Sequence, residues 1–250
     1  MRAFSAAYLG ELTKLIGRRK YIVFIMIGII ICAAWAIIGS AVSGAALRFS
    51  GMMVNLTPTP MGVFPPFAQT MVPLLIFMGV CDLITAESAV MKALICRPVE
   101  RWKLYAGKVL AVITYAGIYL SVIFVTSTVL SQVLGRPSGI DAIVHALLAY
   151  ALALLPLAVL ALFAGLVALF GRSASLTMLV LIALYILMRA LPVAFPILSE
   201  LLFTSYIGWH RLWLGARPAA SRLIHVLLIV LGYGAVFFTA GSLVFDRKEY

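Results

Sequence analysis

Charge is what this sequence has least of. Asp, Glu, Lys and Arg together make up 11% of its 250 residues, against roughly 25% in an average soluble domain. Acidic residues are the scarcer half: eight Asp and Glu stand against 19 Lys and Arg, a net charge of +11. Hydrophobic residues account for 64%, more apolar surface than a soluble fold of this length could hide, so a soluble domain is excluded. The basic excess therefore does not point to nucleic acid. In a membrane protein it marks basic loops retained on the cytoplasmic side. Cysteine is sparse too. Cys32, Cys81 and Cys96 form no CxxC and no metal-ligand spacing, which argues against a disulfide framework or a zinc site.

Catalytic parts are missing as well. There is no GxxxxGK[ST] and no GxGxxG between a strand and a helix, so no nucleotide fingerprint. His145, His210 and His225 fall in separate segments without an HExxH, and no GxSxG elbow occurs. An intramembrane enzyme needs a nucleophile or metal with its base, and an ion- or proton-coupled secondary carrier needs buried ionisable groups. The apolar segments offer only Asp82 and Arg189 for either. The expectation is a chain poor in catalytic parts, with no catalytic site, cofactor or metal of its own.

What is present is a series of long apolar runs. About 20 residues cross a hydrocarbon core of ~30 Å, and spans are expected at 21–42, 67–86, 109–134, 143–170, 174–194 and 223–245. Residues 2–20 read as an amphipathic interfacial helix. Phe4, Tyr8, Leu12 and Leu15 form its apolar face, widened by Leu9 and Ile16, with Glu11, Lys14 and Arg18 opposite, toward water and anionic lipid headgroups. Arg18-Arg19 could belong to an export signal, but the run Tyr21–Val42 exceeds the roughly 7–15 residues of a signal core. The proline-rich stretch Ser43–Gln69 reads as a loop. Residues 197–214 are apolar but interrupted by Glu200, His210 and Arg211, and carry Tyr206, Trp209 and Trp213. They are expected as a non-spanning, re-entrant or interfacial element.

Asp82 sits just before a charged loop, where a carboxylate is either solvated or paired with Lys or Arg, or else functional. Arg189, near the end of its span, either snorkels or contacts a substrate or Glu200. Orientation follows from the basic residues. With the N-terminus inside, Arg2, Lys14, Arg18, Arg19, Lys20, Lys92, Arg97, Arg101, Lys103, Lys108, Arg172, Arg247 and Lys248 lie on the cytoplasmic side. Arg48, Arg136, Arg211, Arg217 and Arg222 lie outside. That bias places both termini in the cytoplasm.

The longest charged stretch is residues 87–108, ESAVMKALICRPVERWKLYAGK. Pro98 pushes Arg97 away from helical backbone and itself suits a first helical position. The loop is thus expected as two short helices with a corner at Arg97-Pro98, the second leading from Val99 into the third span. On the first, Met91, Leu94 and Ile95 share one face, with Glu87 and Lys92 elsewhere. Such a knob suits a groove on another protein; an amphipathic loop lying on headgroups has the same composition.

The stretch resembles the intracellular loop of bacterial ABC exporter permeases of the two-component class, which includes drug and lantibiotic-immunity exporters and permeases of copper-site maturation systems. It matches the family pattern at Glu87, Lys92, Leu94, Arg97, Pro98, Val99, Arg101, Gly107 and Lys108. It departs at Ala89-Val90, where Gly-Thr usually stands, and at Glu100, where Ser is usual. The resemblance implies an all-α polytopic membrane protein of six transmembrane helices in the bacterial cytoplasmic membrane. It also implies an N-terminal elbow helix, a coupling helix between spans two and three, and a re-entrant element before span six. The implied partners are a second permease subunit and a separate P-loop ATPase subunit that carries ATP and Mg2+. Glu87, Met91, Lys92, Leu94, Ile95, Arg97, Pro98 and Arg101 would form the interface with that ATPase.

Overall fold

The computed structural model describes residues 2–41, 46–49, 52–55, 59–86, 100–134, 139–195, 197, 202–208 and 220–247. Among them run α1 (Arg2–Gly17), α2 (Arg19–Ala41), strands β1 (Ala46–Phe49) and β2 (Met52–Asn55), and α3 (Pro60–Thr85). They are followed by α4 (Arg101–Val133), α5 (Ile140–Phe170), α6 (Ala174–Ala194) and α7 (Ala220–Arg247). Six helices, α2 to α7, are long and apolar enough to cross a membrane. The chain is a multi-pass helical membrane protein.

Helix α3 occupies the centre because it is apolar on every side. It starts where Thr59 caps it, the hydroxyl accepting from the Gly62 N–H at 3.3 Å, with Pro60 at a first-turn position that needs no donor. Val72, Leu75, Ile76, Phe77 and Val80 are all fully enclosed, against α4, α5 and α6. Two π turns interrupt it, at Phe67–Met71 and Cys81–Thr85. By contrast α2, α6 and α7 expose apolar stripes, such as Met26 and Ile30, Leu179 and Ile186, or Ile224 and Leu228. In water such stripes would aggregate; lipid is their natural solvent.

Three expectations need correction. The stretch read as a loop, Ser43–Gln69, contains an antiparallel hairpin that pairs Ala46 with Asn55 and Phe49 with Met52, so the described chain is not wholly helical. The same stretch also supplies the first turns of α3, which begins at Pro60. Helix α4 begins at Arg101, so residues 101–108, counted with the loop, are its opening turns. Leu104, Tyr105 and Lys108 bury one face there. Of the element expected at 197–214, the described part is a short 3-10 helix, Phe203–Gly208. Phe203 sits among the rings of Phe163, Tyr233 and Phe237, with centroids 5.5–5.6 Å away. Glu200, His210 and Arg211 lie outside the described residues.

The third correction concerns α1. Leu9 and Ile16 are exposed, whereas Glu11 is only 6% exposed and shares the buried face with Leu15. Helix geometry allows this: at 3.6 residues per turn Glu11 falls only about 60° from Tyr8. The buried face of α1, packed on α4, therefore carries the charge, and its outer face carries Leu9 and Ile16. Tyr8 hydroxyl donates to Thr114 Oγ1 at 2.9 Å across that contact.

Polar contacts gather at the two ends of the bundle. At one end Thr85 Oγ1 donates to the Ala168 carbonyl at 3.1 Å, and Arg101 Nη1 to the Asp246 carbonyl at 2.7 Å. At the other, Tyr150 hydroxyl donates to the Pro60 carbonyl at 3.3 Å and Tyr185 hydroxyl to the Gln69 carbonyl at 2.6 Å. Between them, close helix contacts depend on glycine. The Tyr105 ring of α4 lies in a slot between Gly165 of α5 and Gly241 of α7. A Cβ on Gly165 would stand 2.8 Å from the Tyr105 hydroxyl, and one on Gly241 would collide with it. Gly232, also in α7, has open space. Gly232→Ala should therefore stabilise the protein by up to ~1 kcal/mol through helix propensity. Gly241→Ala should destabilise it by about 1–3 kcal/mol through overpacking, and Tyr105→Leu should recover part of that loss. Thermal unfolding in detergent reads both signs.

Candidate functional site

The charge-rich end of the bundle is built from the corner between α1 and α2, the last turn of α3 and the first turns of α4. Asp82, in the second π turn of α3, collects three donors on one oxygen. Tyr21 hydroxyl donates to Oδ2 at 2.6 Å, Arg18 Nη1 lies 3.4 Å from it, and Lys20 Nζ pairs with it. Tyr21 is fixed in turn: its ring meets Tyr115 edge-on at 5.3 Å, and the Tyr115 hydroxyl donates to its carbonyl at 2.9 Å. The carboxylate thus ties α3 to the start of α2, and through Tyr115 to α4.

A second charged group lies deeper. Lys108 of α4 is 1% exposed. Its Nζ donates to the Leu83 carbonyl at 2.8 Å and lies 3.4 Å from Glu11 Oε1. The Leu83 carbonyl belongs to the last turn of α3, where intrahelical donors run out. Glu11 Oε1 also accepts from Lys14 Nζ at 3.0 Å, while Glu11 Oε2 has no hydrogen-bond partner among the described residues. A lysine and a glutamate removed from water each cost several kcal/mol unless paired. Each is the reason the other can be buried. The pair clamps α1 onto α4 and, through Leu83, onto α3.

At the entry to α4, exposed Glu100 accepts from Trp102 Nε1 at 2.6 Å and pairs with Lys103 at 3.0 Å. The Lys103 ammonium, then the Trp102 N–H, hold its carboxyl below the usual carboxylate range. Arg101 binds the end of α7 through the Asp246 carbonyl.

At the opposite end, Arg189 of α6 meets α3. Its Nη2 donates to Gln69 Oε1 at 3.1 Å, its Nη1 reaches the Tyr185 hydroxyl at 3.5 Å, and its guanidinium carbon lies 6.0 Å from the Tyr185 ring centroid. Gln69 sits in the first π turn, where Val72 N–H reaches back to the Phe67 carbonyl. Its own carbonyl accepts from Tyr185. Such turns recur at functional positions in helices.

Of the residues singled out by sequence, the structure separates Asp82 from Arg189, one at each end of α3. Glu87, Met91, Lys92, Leu94, Ile95, Arg97 and Pro98 lie outside the described residues. The residues not offered as site candidates by the sequence are Glu11, Lys108, Lys20, Gln69 and Tyr185. Two left a signal. Lys108 falls in the apolar stripe Leu104, Tyr105, Val112, Tyr115 at helical spacing, and Glu11 falls in the stripe Tyr8, Leu12, Leu15. A charge inside an apolar stripe calls for a buried partner. Among the described residues no group of three His, Cys, Asp or Glu side chains could hold a metal ion.

The fold and these contacts define a helical membrane protein with a charge cluster at one end of its bundle. No protein-family model and no curated protein matches the sequence.

Lys108→Met should cost about 1–3 kcal/mol, because it takes one donor from the Leu83 carbonyl and leaves the buried Glu11 carboxylate to the half-exposed Lys14 alone. The double variant Glu11→Leu with Lys108→Met should recover most of that loss. Unfolding in detergent measures the cycle; a double-variant loss equal to the sum of the two single losses would mean the pair does not act as a unit.

Proposed function

We propose that this chain is the transmembrane permease subunit of an ABC exporter in a bacterial cytoplasmic membrane, with both termini in the cytoplasm. A separate P-loop ATPase subunit, binding ATP and Mg2+, drives it, and a second permease subunit completes the pathway. Segment 87–99 seats in the ATPase, with Glu87 and Lys92 as polar anchors and Met91, Leu94 and Ile95 as the apolar contact. Helix α1 serves as the elbow, and the stretch around Phe203–Gly208 as the re-entrant element. The identification rests on the loop resemblance.

One structural observation supports it. The described helices that precede and follow segment 87–99 both carry charged contacts at this end of the bundle: Asp82 of α3 pairs with Arg18 and Lys20, and Lys108 of α4 with Glu11. A displacement of the segment would reach α1, α2, α3 and α4 together rather than dissipate in one helix. Transport coupling asks for that kind of joint movement, in which a packed region has two arrangements.

The test is copurification. The full chain, solubilised from its own membrane in mild detergent, should carry a P-loop ATPase, and replacing Glu87–Arg97 with a Gly-Ser linker should release it while the helical circular-dichroism signal persists. A chain that transports normally and never binds such an ATPase overturns the reading. Transport that survives ATP depletion but fails in Asp82→Asn would belong to a secondary carrier.

A further inference from the structure

We propose that Arg189 and the apolar stripe beside it on α6 form a binding site for one anionic phospholipid, the guanidinium holding its phosphate and the stripe carrying an acyl chain. The charge comes first. Arg189 contacts Gln69 Oε1 and the Tyr185 hydroxyl, both neutral, and among the described residues no carboxylate pairs with it. A guanidinium within a span is costly without a counter-charge. Two of its five N–H donors are engaged, which leaves others for an anion.

The group is also held in place. Tyr185 is buried, its hydroxyl locked onto the Gln69 carbonyl, and its ring packs edge-on against Phe77 at 5.7 Å. Arg189 lies over that ring, so little ordering remains for a ligand to impose. Its depth fits a phosphate. Helix α6 ends at Ala194, about 7.5 Å further along the axis by helix rise, which sets Arg189 near the boundary of hydrocarbon and headgroups.

The tail has a matching surface. Leu179, Ile186 and Val193 are 68%, 61% and 86% exposed. At 100° per residue they fall within about 80° of Arg189 around the helix, on the side away from Tyr185. Head and tail contacts therefore lie along one edge of α6. A phosphate with net negative charge complements the arginine better than a zwitterionic headgroup, which carries its own cation.

The full chain, delipidated in dodecyl maltoside, is titrated with phosphatidylglycerol or with phosphatidylcholine of the same acyl chains, and bound lipid is counted by native mass spectrometry. Wild type should retain one phosphatidylglycerol per chain about fivefold more tightly than phosphatidylcholine, the ratio that one Lys or Arg near a membrane surface supplies. Arg189→Gln should abolish that difference and leave phosphatidylcholine retention unchanged, while Arg189→Lys should keep most of it. Val193→Glu, at an exposed position that leaves Arg189 intact, should also abolish it and keeps the test valid if Arg189→Gln folds poorly. Equal retention of phosphatidylglycerol by wild type and both neutralising variants overturns the proposal. So does a second copy of the chain covering the stripe, seen as cross-linking through Leu179→Cys and Ile186→Cys that added phosphatidylglycerol does not reduce.

Discussion

The pairing of Glu11 with Lys108 constrains more of this structure than any other contact described. An ammonium that is 1% exposed in an apolar bundle has to find a counter-ion and acceptors, and α4 itself supplies neither. Glu11 arrives from α1 and the Leu83 carbonyl from the end of α3. The apolar face of α1 consequently takes in one charged residue beside Leu15. Its charge turns inward, and Leu9 and Ile16 turn outward, where a lipid environment tolerates them and water would not. A helix that looks made to float on headgroups is instead fastened to the bundle.

Helix α3 connects this cluster to the other end of the molecule. Its two π turns carry Gln69 and Asp82, its most polar contacts with neighbouring helices, and the stretch Val72–Val80 between them is regular and almost wholly buried. A π turn admits one extra residue and redirects the side chains around it. The regular segment can keep an apolar face toward α4, α5 and α6 while its ends present polar groups. Arg189 meets α3 at one π turn, and Lys20, Arg18 and Tyr21 meet it at the other. Because the middle is close-packed, it behaves as a rod rather than a hinge.

Six apolar helices are legible in the sequence because a hydrocarbon core demands length and composition, and both are local properties. The polar contacts are not local. Tyr21 and Asp82, or Arg189 and Gln69, are brought together from distant parts of the chain, and no periodicity within one segment encodes such a meeting. Helix α1 failed differently. Its stripe was readable, but hydropathy argued for placing Glu11 outside, and the pairing with Lys108 and Lys14 makes the inside possible. The hairpin between α2 and α3 escaped because prolines at Pro58, Pro60, Pro65 and Pro66 announce irregular chain. Proline at Pro60 in fact opens a helix, at a position where its missing N–H costs nothing. The segment 87–99 lies outside the described residues, and the role given to it rests on resemblance.

Within that proposal, the geometry at Asp82 weighs between a driven permease and a carrier. A coupling carboxylate in a carrier has to bind and release its ion in each cycle, which requires an oxygen that can change partners. Asp82 Oδ2 already holds a tyrosine hydroxyl and two cations from the corner between α1 and α2. Releasing them would detach α3 from that corner, a structural event far larger than the exchange of one ion. The carboxylate is better placed to transmit a movement that begins elsewhere. Segment 87–99, bounded by Asp82 on one side and Lys108 on the other, is where an external partner could start it.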